Sequence, residues 1–207
     1  MRVRIDHVIY AVRDLDVAAG KFRDLYGLDS YPGGTHPAYG TGNRIVPFGD
    51  SYLELMTVAD TGLARTNPLG QHVGAFLARG EGFLGWIVAT DDIEADAARL
   101  DLTIVPGERT QPDGTTVRWR AAGIEMIVLE PSLPFFIAWD DMDLHPSRTP
   151  VEHASAPSGF AWVEIAGDPS RLKGWLGDHT LPVRVLGGPG NVLAVGITTA
   201  DGELVLS

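Results

Sequence analysis

Short apolar runs, helical stripes and turn residues succeed one another along the chain. The run at 5–12 is rich in Val, Ile and Tyr, and it predicts a strand buried on both faces. Asp14 follows in the position of a helix N-cap, and Gly27 marks the end of that helix. The Gly- and Pro-rich stretch at 31–37 predicts a loop, with any short second strand hidden inside it. Two further strands are predicted at 43–48 and 51–58.

The opening pattern returns twice. Asp14, Asp92 and Asp168 recur at nearly equal intervals, and each follows an apolar strand and precedes a short amphipathic helix and more strands. In the second appearance, the stretches at 104–106, 116–120, 124–129 and 133–139 are strand-like. The predicted organisation is a first β-α-β-β-β module at 1–60, a connector helix at 61–82, a second module at 83–140, a linker at 141–158 and a degenerate third module at 159–207.

Composition narrows the class of protein. The 207 residues carry a formal net charge of −11, 25 Gly, 14 Pro and no Cys. An acidic surface repels phosphate backbones, so nucleic acid is not an expected partner. The absence of cysteine excludes disulfides and a thiolate nucleophile. No apolar run has the length of a membrane span or of a signal peptide, so we expect no membrane partner and a cytoplasmic location.

An ordered set of short motifs carries a family resemblance. The chain is similar to the vicinal oxygen chelate superfamily, and within it to a glyoxalase-like branch of the glyoxalase, bleomycin resistance and dioxygenase type. The motifs are DHVIYAVRDL at 6–15, GGTHP at 33–37, GTGN at 40–43, PFGD at 47–50, YLEL at 52–55, LPFF at 133–136, and WDD at 139–141 with HP at 145–146.

The resemblance implies an α+β fold of repeated β-α-β-β-β modules. They would form a curved mixed sheet around one pocket, with helices on the convex side. It also implies a divalent metal and a substrate with adjacent oxygens in that pocket. Lyases, isomerases, dioxygenases and antibiotic-sequestering proteins share this fold, so the fold does not select the reaction.

His7 and Glu54 are the first candidates for chemistry. Each lies inside an apolar strand, and a buried imidazole or carboxylate needs a partner or a metal. The alternatives are a satisfied core histidine and a strand with one wet face. The resemblance makes both residues metal ligands and catalytic residues, with Mn, Fe, Zn or Ni as the candidate ion.

The second module lacks matching ligands. Aligning Asp14 with Asp92 places Gly85 opposite His7, and the apolar stretch at 135–139 holds no carboxylate to match Glu54. His36, on the Gly-rich loop, is the candidate third metal ligand; the alternative is a solvated loop histidine.

Six residues are candidates for substrate binding. Arg118 and Arg120 alternate with Trp119, so both share one strand face and would bind a carboxylate if that face is concave; otherwise they are surface charges. For the tryptophans the alternative is core packing, and for Asn43 it is holding its loop. The candidates are Asn43, Tyr52, Trp86, Arg118, Arg120 and Trp139.

Two small-molecule functions stay open at this point, beside a purely structural or interaction role. One is a metal-dependent lyase, isomerase or dioxygenase acting on a small oxygenated substrate. The other is a metal-free protein that binds or sequesters a small molecule, which the missing second-module ligands favour. In both, the expected partner is a small molecule. The third module either covers the other two or contacts a second copy of the chain in a homodimer.

Overall fold

The computed structural model describes residues 3–207, and its strands form two β-sheets. Eight strands close into a barrel in the ring order β1-β4-β3-β2-β6-β7-β8-β5. These strands are β1 Val3–Ala11, β2 Tyr31–His36, β3 Thr41–Phe48, β4 Ser51–Val58, β5 Gly82–Thr90, β6 Ile104–Thr110, β7 Thr116–Ala122 and β8 Phe135–Trp139.

Six helices connect the strands. The three helices that open the repeated pattern begin at a capping aspartate: the Asp14 carboxylate accepts hydrogen bonds from the backbone N–H groups of Asp16 and Val17, and Asp92 and Asp168 act alike. The helices are α1 Leu15–Tyr26, α2 Thr61–Ala64, α3 Pro68–Arg79, α4 Ile93–Leu100, α5 Met126–Leu129 and α6 Pro169–Leu176. Within residues 3–207 none of them has the length and apolar character needed to cross a membrane.

The two halves of the barrel share one topology. β1 pairs in parallel with β4, and β5 pairs in parallel with β8, while β1 and β5 meet as antiparallel neighbours. His7 pairs with Ile87 and Ile9 pairs with Gly85, so Gly85 occupies the place of His7 in the second half. Ile9 pairs with Glu54 and Ile87 with Phe135, so Phe135 occupies the place of Glu54. The repeated-module fold is therefore present, and its sheet is closed.

The two halves of the barrel meet a second time at β2 and β6, where few residues pair. In the described residues, β2 and β6 are joined by one residue pair, Thr35 with Thr110. Gly34 has a φ of +124°, and a side chain there would collide with the carbonyl oxygen of Thr110. The stretch at 31–37 was predicted as a loop that could hide a short second strand, and nearly all of it is that strand, because glycine here permits the close approach that closes the ring.

A second stretch also differs from its prediction. The strand-like residues at 124–129 form α5 instead, where a turn of helix carries Ile127 inward. A Cβ atom at Gly85 would lie 3.2 Å from the Ile127 Cγ1, so this side chain fills the space above the glycine. The following strand begins at Phe135, two residues later than expected.

The C-terminal residues form a separate four-stranded sheet, in the order β10-β9-β11-β12. Its strands are β9 Gly159–Ala166, β10 Val183–Leu186, β11 Asn191–Thr199 and β12 Gly202–Leu206. Trp175 on α6 is buried, and its indole N–H donates to the carbonyl of Pro134 at 2.7 Å, which ties this sheet to the barrel. The intervening linker holds two 3₁₀ turns, Met142–Leu144 and Pro146–Arg148.

Candidate functional site

A cavity inside the barrel has one polar and one apolar wall. It encloses about 580 Å³, counting its open mouth. The first half supplies the polar wall, which includes His7, His36, Thr41, Asn43, Tyr52 and Glu54. The second half and α5 supply the apolar wall, which includes Trp119, Ile124, Ile127, Phe135, Ile137 and Trp139. Such a pairing of an apolar body with a few convergent polar groups is typical of a small-molecule site.

Glu54 is the central group of the polar wall. Its side chain is buried, and Asn43 Nδ2 donates a 2.6 Å hydrogen bond to Glu54 Oε1. Glu54 Oε2 lies 3.5 Å from His7 Nε2, and Glu54 Oε1 lies 3.7 Å from His36 Nε2. The two imidazoles therefore flank one carboxylate, and the structure brings together the three residues that the sequence named as candidate metal ligands.

Asp6 orients His7 through a hydrogen bond on the side of the ring away from Glu54. The distance from His7 Nδ1 to Asp6 Oδ2 is 2.8 Å, and Asp6 also accepts hydrogen bonds from His145 Nε2 at 3.1 Å and Trp139 Nε1 at 3.3 Å. Burial alone would raise the pKa of Asp6, but the hydrogen bonds from His145 and His7 hold that pKa well below its usual range. Asp6 is thus an ionised carboxylate that keeps a proton on His7 Nδ1 and leaves His7 Nε2 to the cavity.

His36 is oriented in a similar way. Its Nδ1 lies 2.9 Å from Thr41 Oγ1, so its Nε2 is the nitrogen left towards Glu54. Burial lowers the pKa of His36 below 6.5, although the charge of Glu54 opposes the shift and that of Arg109 adds to it. Burial therefore favours the neutral form of the His36 imidazole.

The donor set can be compared with that of a metal centre. Two imidazole nitrogens face one carboxylate, and both imidazoles are fixed through their other nitrogen, which is the arrangement that surrounds metal-binding histidines. The chemistry of the donors fits a divalent ion. Within residues 3–207, however, no three His, Asp or Glu side chains are already placed at the spacing of a metal site.

Tyr52 completes the polar wall. Its ring stacks on His7 with the ring centroids 4.4 Å apart and an interplanar angle of 13°. Burial, and then the negative charges of Asp6 and Glu54, raise the pKa of Tyr52 well above 10, so the phenol keeps its proton. Tyr52 therefore presents a hydroxyl group, never a phenolate, at neutral pH.

Three predicted substrate contacts lie elsewhere. Trp86 is fully buried in the core, where its indole N–H donates to the carbonyl of Ser132 at 2.9 Å. Arg118 and Arg120 share a face, as expected, but that face is the outer one. There they are exposed and form ion pairs with Glu108 and Glu94. Trp119, which alternates with them, is the residue that faces the cavity.

Three functional candidates escaped the sequence. Asp6 stands in the opening motif beside His7, so the Asp-His dipeptide was a usable signal. His145 belongs to the HP motif in the linker, 139 positions from its partner Asp6, and the sequence assigned it no role. Arg109 on β6 is buried in the cavity lining, and no local pattern distinguishes it from the other arginines.

The comparisons with known proteins concern the family and the fold. Residues 5–180 match the family model described as a glyoxalase-like domain. A crystal structure of a hypothetical protein from Staphylococcus aureus is similar, with a TM-score of 0.65 at 18% identity, covering 99% of this chain and 84% of that one. Methylmalonyl-CoA epimerase from Mycobacterium tuberculosis has a TM-score of 0.47 at 20% identity, over 66% of this chain and 86% of that one. No curated protein sequence matches the chain significantly.

Proposed function

The chain belongs to the glyoxalase-like domain family, and we propose that it is an enzyme in which Glu54 moves a proton at a carbon next to a carbonyl group. This reaction lies in the isomerase or lyase part of the range that the family resemblance implies. One observation carries the proposal. The buried Glu54 carboxylate lies between the imidazoles of His7 and His36, and the Nδ1 atom of each imidazole contacts another side chain, Asp6 or Thr41.

The two oxygens of Glu54 have different roles in this proposal. Oε1 accepts the short hydrogen bond from Asn43, which fixes the plane of the carboxylate. Oε2 accepts no hydrogen bond at ordinary length within the described residues, and it is the base. A buried base that is fixed by its polar neighbours needs little reorganisation when the proton transfers.

The proton and the electron pair have separate destinations. Glu54 Oε2 takes the proton from the substrate carbon, and the C–H electron pair moves into the neighbouring carbonyl to give an enolate oxygen. The Tyr52 hydroxyl is a donor that would stabilise this oxygen. For a 2-hydroxycarbonyl substrate, the hydroxyl proton passes to the enolate oxygen and Glu54 returns the first proton to the former carbonyl carbon, which completes an isomerisation without any oxidant.

A divalent metal would suit the same site. His7, His36 and Glu54 would hold it, and when bound it would supply Lewis-acid stabilisation of the enolate oxygen. The roles of Asp6, Thr41 and Asn43 do not change with the metal. They orient His7, His36 and Glu54 in either case.

Hydrogen–deuterium exchange tests the proposal. The protein is incubated in D₂O with a panel of small 2-oxo and 2-hydroxycarbonyl compounds, with and without added Mn²⁺, Zn²⁺, Ni²⁺ or Fe²⁺, and loss of the α-proton signal is followed by NMR. We expect exchange with at least one compound and a loss of about 10²–10⁴-fold in Glu54→Gln, the range for removing a general base. Arg118→Gln, on the outer face, is the matched control and should exchange like the wild type.

Metal analysis of protein purified without chelator separates the two forms of the enzyme. Stoichiometric metal that is lost in both His7→Ala and Glu54→Ala would support the metal-dependent form. Metal retained in Glu54→Ala would contradict the ligand set proposed here.

A metal-free binding protein is the second candidate, and the apolar wall favours it. Trp119 and Trp139 lie with their ring centroids 5.3 Å apart and present a broad apolar surface. Thermal stabilisation by a compound that shows no exchange, with or without metal, would support the binder and count against the enzyme.

A further inference from the structure

Two buried polar atoms in the cavity have no partner. Within residues 3–207, Asn43 Oδ1 and Arg109 Nη2 are the buried side-chain atoms that form no hydrogen bond. Both residues line the same cavity, and both are at least 95% buried. Buried polar groups are normally satisfied, and a pair of exceptions in one cavity indicates that a ligand completes them.

The two atoms share one small space beside Gly33. A Cβ atom at Gly33 would collide with Asn43 Oδ1 and would lie 2.8 Å from Arg109 Nη1. The glycine thus leaves the room in which the amide oxygen and the guanidinium approach each other. Asn43 Oδ1 is a hydrogen-bond acceptor and the Arg109 guanidinium is a donor. Together they suit a ligand that has a donor and an acceptor close to each other.

In the described residues, no carboxylate lies within ion-pair distance of the Arg109 guanidinium. Asp6 is occupied by His7, His145 and Trp139, and Glu54 is engaged with Asn43 and the two imidazoles. In the described part of the chain, Arg109 forms no ion pair with either. A buried guanidinium without a counter-ion is unfavourable, so an anionic ligand would be bound strongly there.

We propose that Arg109 and Asn43 form the anion-binding end of the substrate site, and that the substrates are small carboxylates with a neighbouring hydroxyl group. The carboxylate pairs with Arg109, and the hydroxyl donates to Asn43 Oδ1. Arg109 is the one Lys or Arg among the described residues that line the cavity, which matches a single negative charge better than a phosphate dianion. The inference names the substrate class for the enzyme proposed above, and so it rests on that function.

Binding of matched acids and amides tests the proposal. The probes are lactate with lactamide and propionate with propionamide, measured by calorimetry on the wild-type protein. We expect lactate to bind at least tenfold more tightly than lactamide, because only the acid supplies the anion, and more tightly than propionate, which lacks the hydroxyl. Equal binding of lactate and lactamide would overturn the proposal. So would tighter binding of inorganic phosphate than of lactate.

Variants assign the two preferences. Arg109→Gln should abolish the preference for acid over amide, and Arg109→Lys should retain part of it. Arg118→Gln, which removes an equal charge from the outer face, should leave the preference intact. A preference that survives in Arg109→Gln would overturn the assignment, and the wild-type comparison decides the matter if that variant does not fold.

Glu54→Gln keeps this proposal separable from the proposed function. We expect it to bind lactate in preference to lactamide while failing to exchange protons. If the wild type binds the acids selectively but exchanges no proton, the enzymatic proposal fails and the anion site stands. If protons exchange on neutral carbonyl compounds without any preference for acids, the anion site fails and the enzymatic proposal stands.

Discussion

The two halves of the barrel have the same strand order, and they differ in what they bring to the cavity. The first half places His7 and Glu54 at positions where the second half has Gly85 and Phe135. Ile127 then fills the space above Gly85. The first half is thus mainly polar and oriented by hydrogen bonds, while the second half is mainly packed and contributes one buried charge, Arg109. The difference teaches that a repeated fold can keep its backbone register while one copy carries most of the polar groups and the other carries most of the apolar surface.

The largest expected effect is on the packed side. Phe135→Ala removes a buried ring from the apolar wall and should lower the free energy of unfolding by about 3–5 kcal/mol. Glu54→Gln, at the equivalent position of the first half, keeps the side-chain shape and should change it by less. Urea denaturation of both variants measures the contrast. A larger loss of unfolding free energy in Glu54→Gln than in Phe135→Ala would contradict the view that the second half contributes more to stability than the first.

Asp6→Asn comes next. The change removes the buried negative charge on which His7, His145 and Trp139 converge, so we expect a loss of about 2–4 kcal/mol in unfolding free energy. The orientation of His7 should also suffer, and proton exchange should fall even where the variant is folded. Asp16→Asn, at an exposed site on α1, is the control for a charge loss that leaves the cavity intact. An unchanged His7 NMR signal in Asp6→Asn would contradict the orienting role.

Gly33→Ala should have an intermediate effect. The added methyl group collides with Asn43 Oδ1, so Asn43 and Arg109 must move apart, at a cost of about 1–3 kcal/mol. Lactate binding should weaken more than overall stability does. Gly159→Ala is the control, because a Cβ atom there meets no described atom within 4 Å. Equal effects of the two substitutions on binding would argue against the role given to Gly33.

The smallest effect concerns pH. Because the pKa of His36 is lowered in the folded protein, the unfolded chain binds more protons as the pH falls below 6.5. Folding stability should therefore decline from pH 6.5 downwards, and His36→Gln should flatten that decline. The lowered pKa of Asp6 adds a further loss only below about pH 4, where its unfolded form takes up a proton. Melting temperatures between pH 7 and pH 5 check the sign in the wild type and in His36→Gln.

Local signals explain what the sequence could predict. The capping aspartates mark helix starts through hydrogen bonds two or three residues away, so the alignment that placed Gly85 opposite His7 agrees with the strand register. Alternation correctly put Arg118 and Arg120 on one face. It could not say which face, because a period of two fixes relative sides and carries no information about the core.

The features that the sequence could not predict depend on contacts between distant segments of the chain. His145 reaches Asp6 from the linker, and nothing in its neighbours foretells that contact. The strand β2 was hidden because Gly and Pro are poor strand formers, and their presence there makes sense only beside Thr110. Glu54 and Asn43 were predictable as candidates, but the orphaned atoms beside Gly33 emerge only from three strands brought together.

The single pair that joins β2 to β6 has a consequence for how the site assembles. His36 directly follows Thr35, and Arg109 directly precedes Thr110. One residue of the polar wall and the buried arginine of the cavity are therefore both next to the single residue pair that joins β2 to β6. We therefore expect that separating Thr35 from Thr110 would also shift His36 and Arg109 within the cavity, and that a change which loosens this one pair would alter the two residues together.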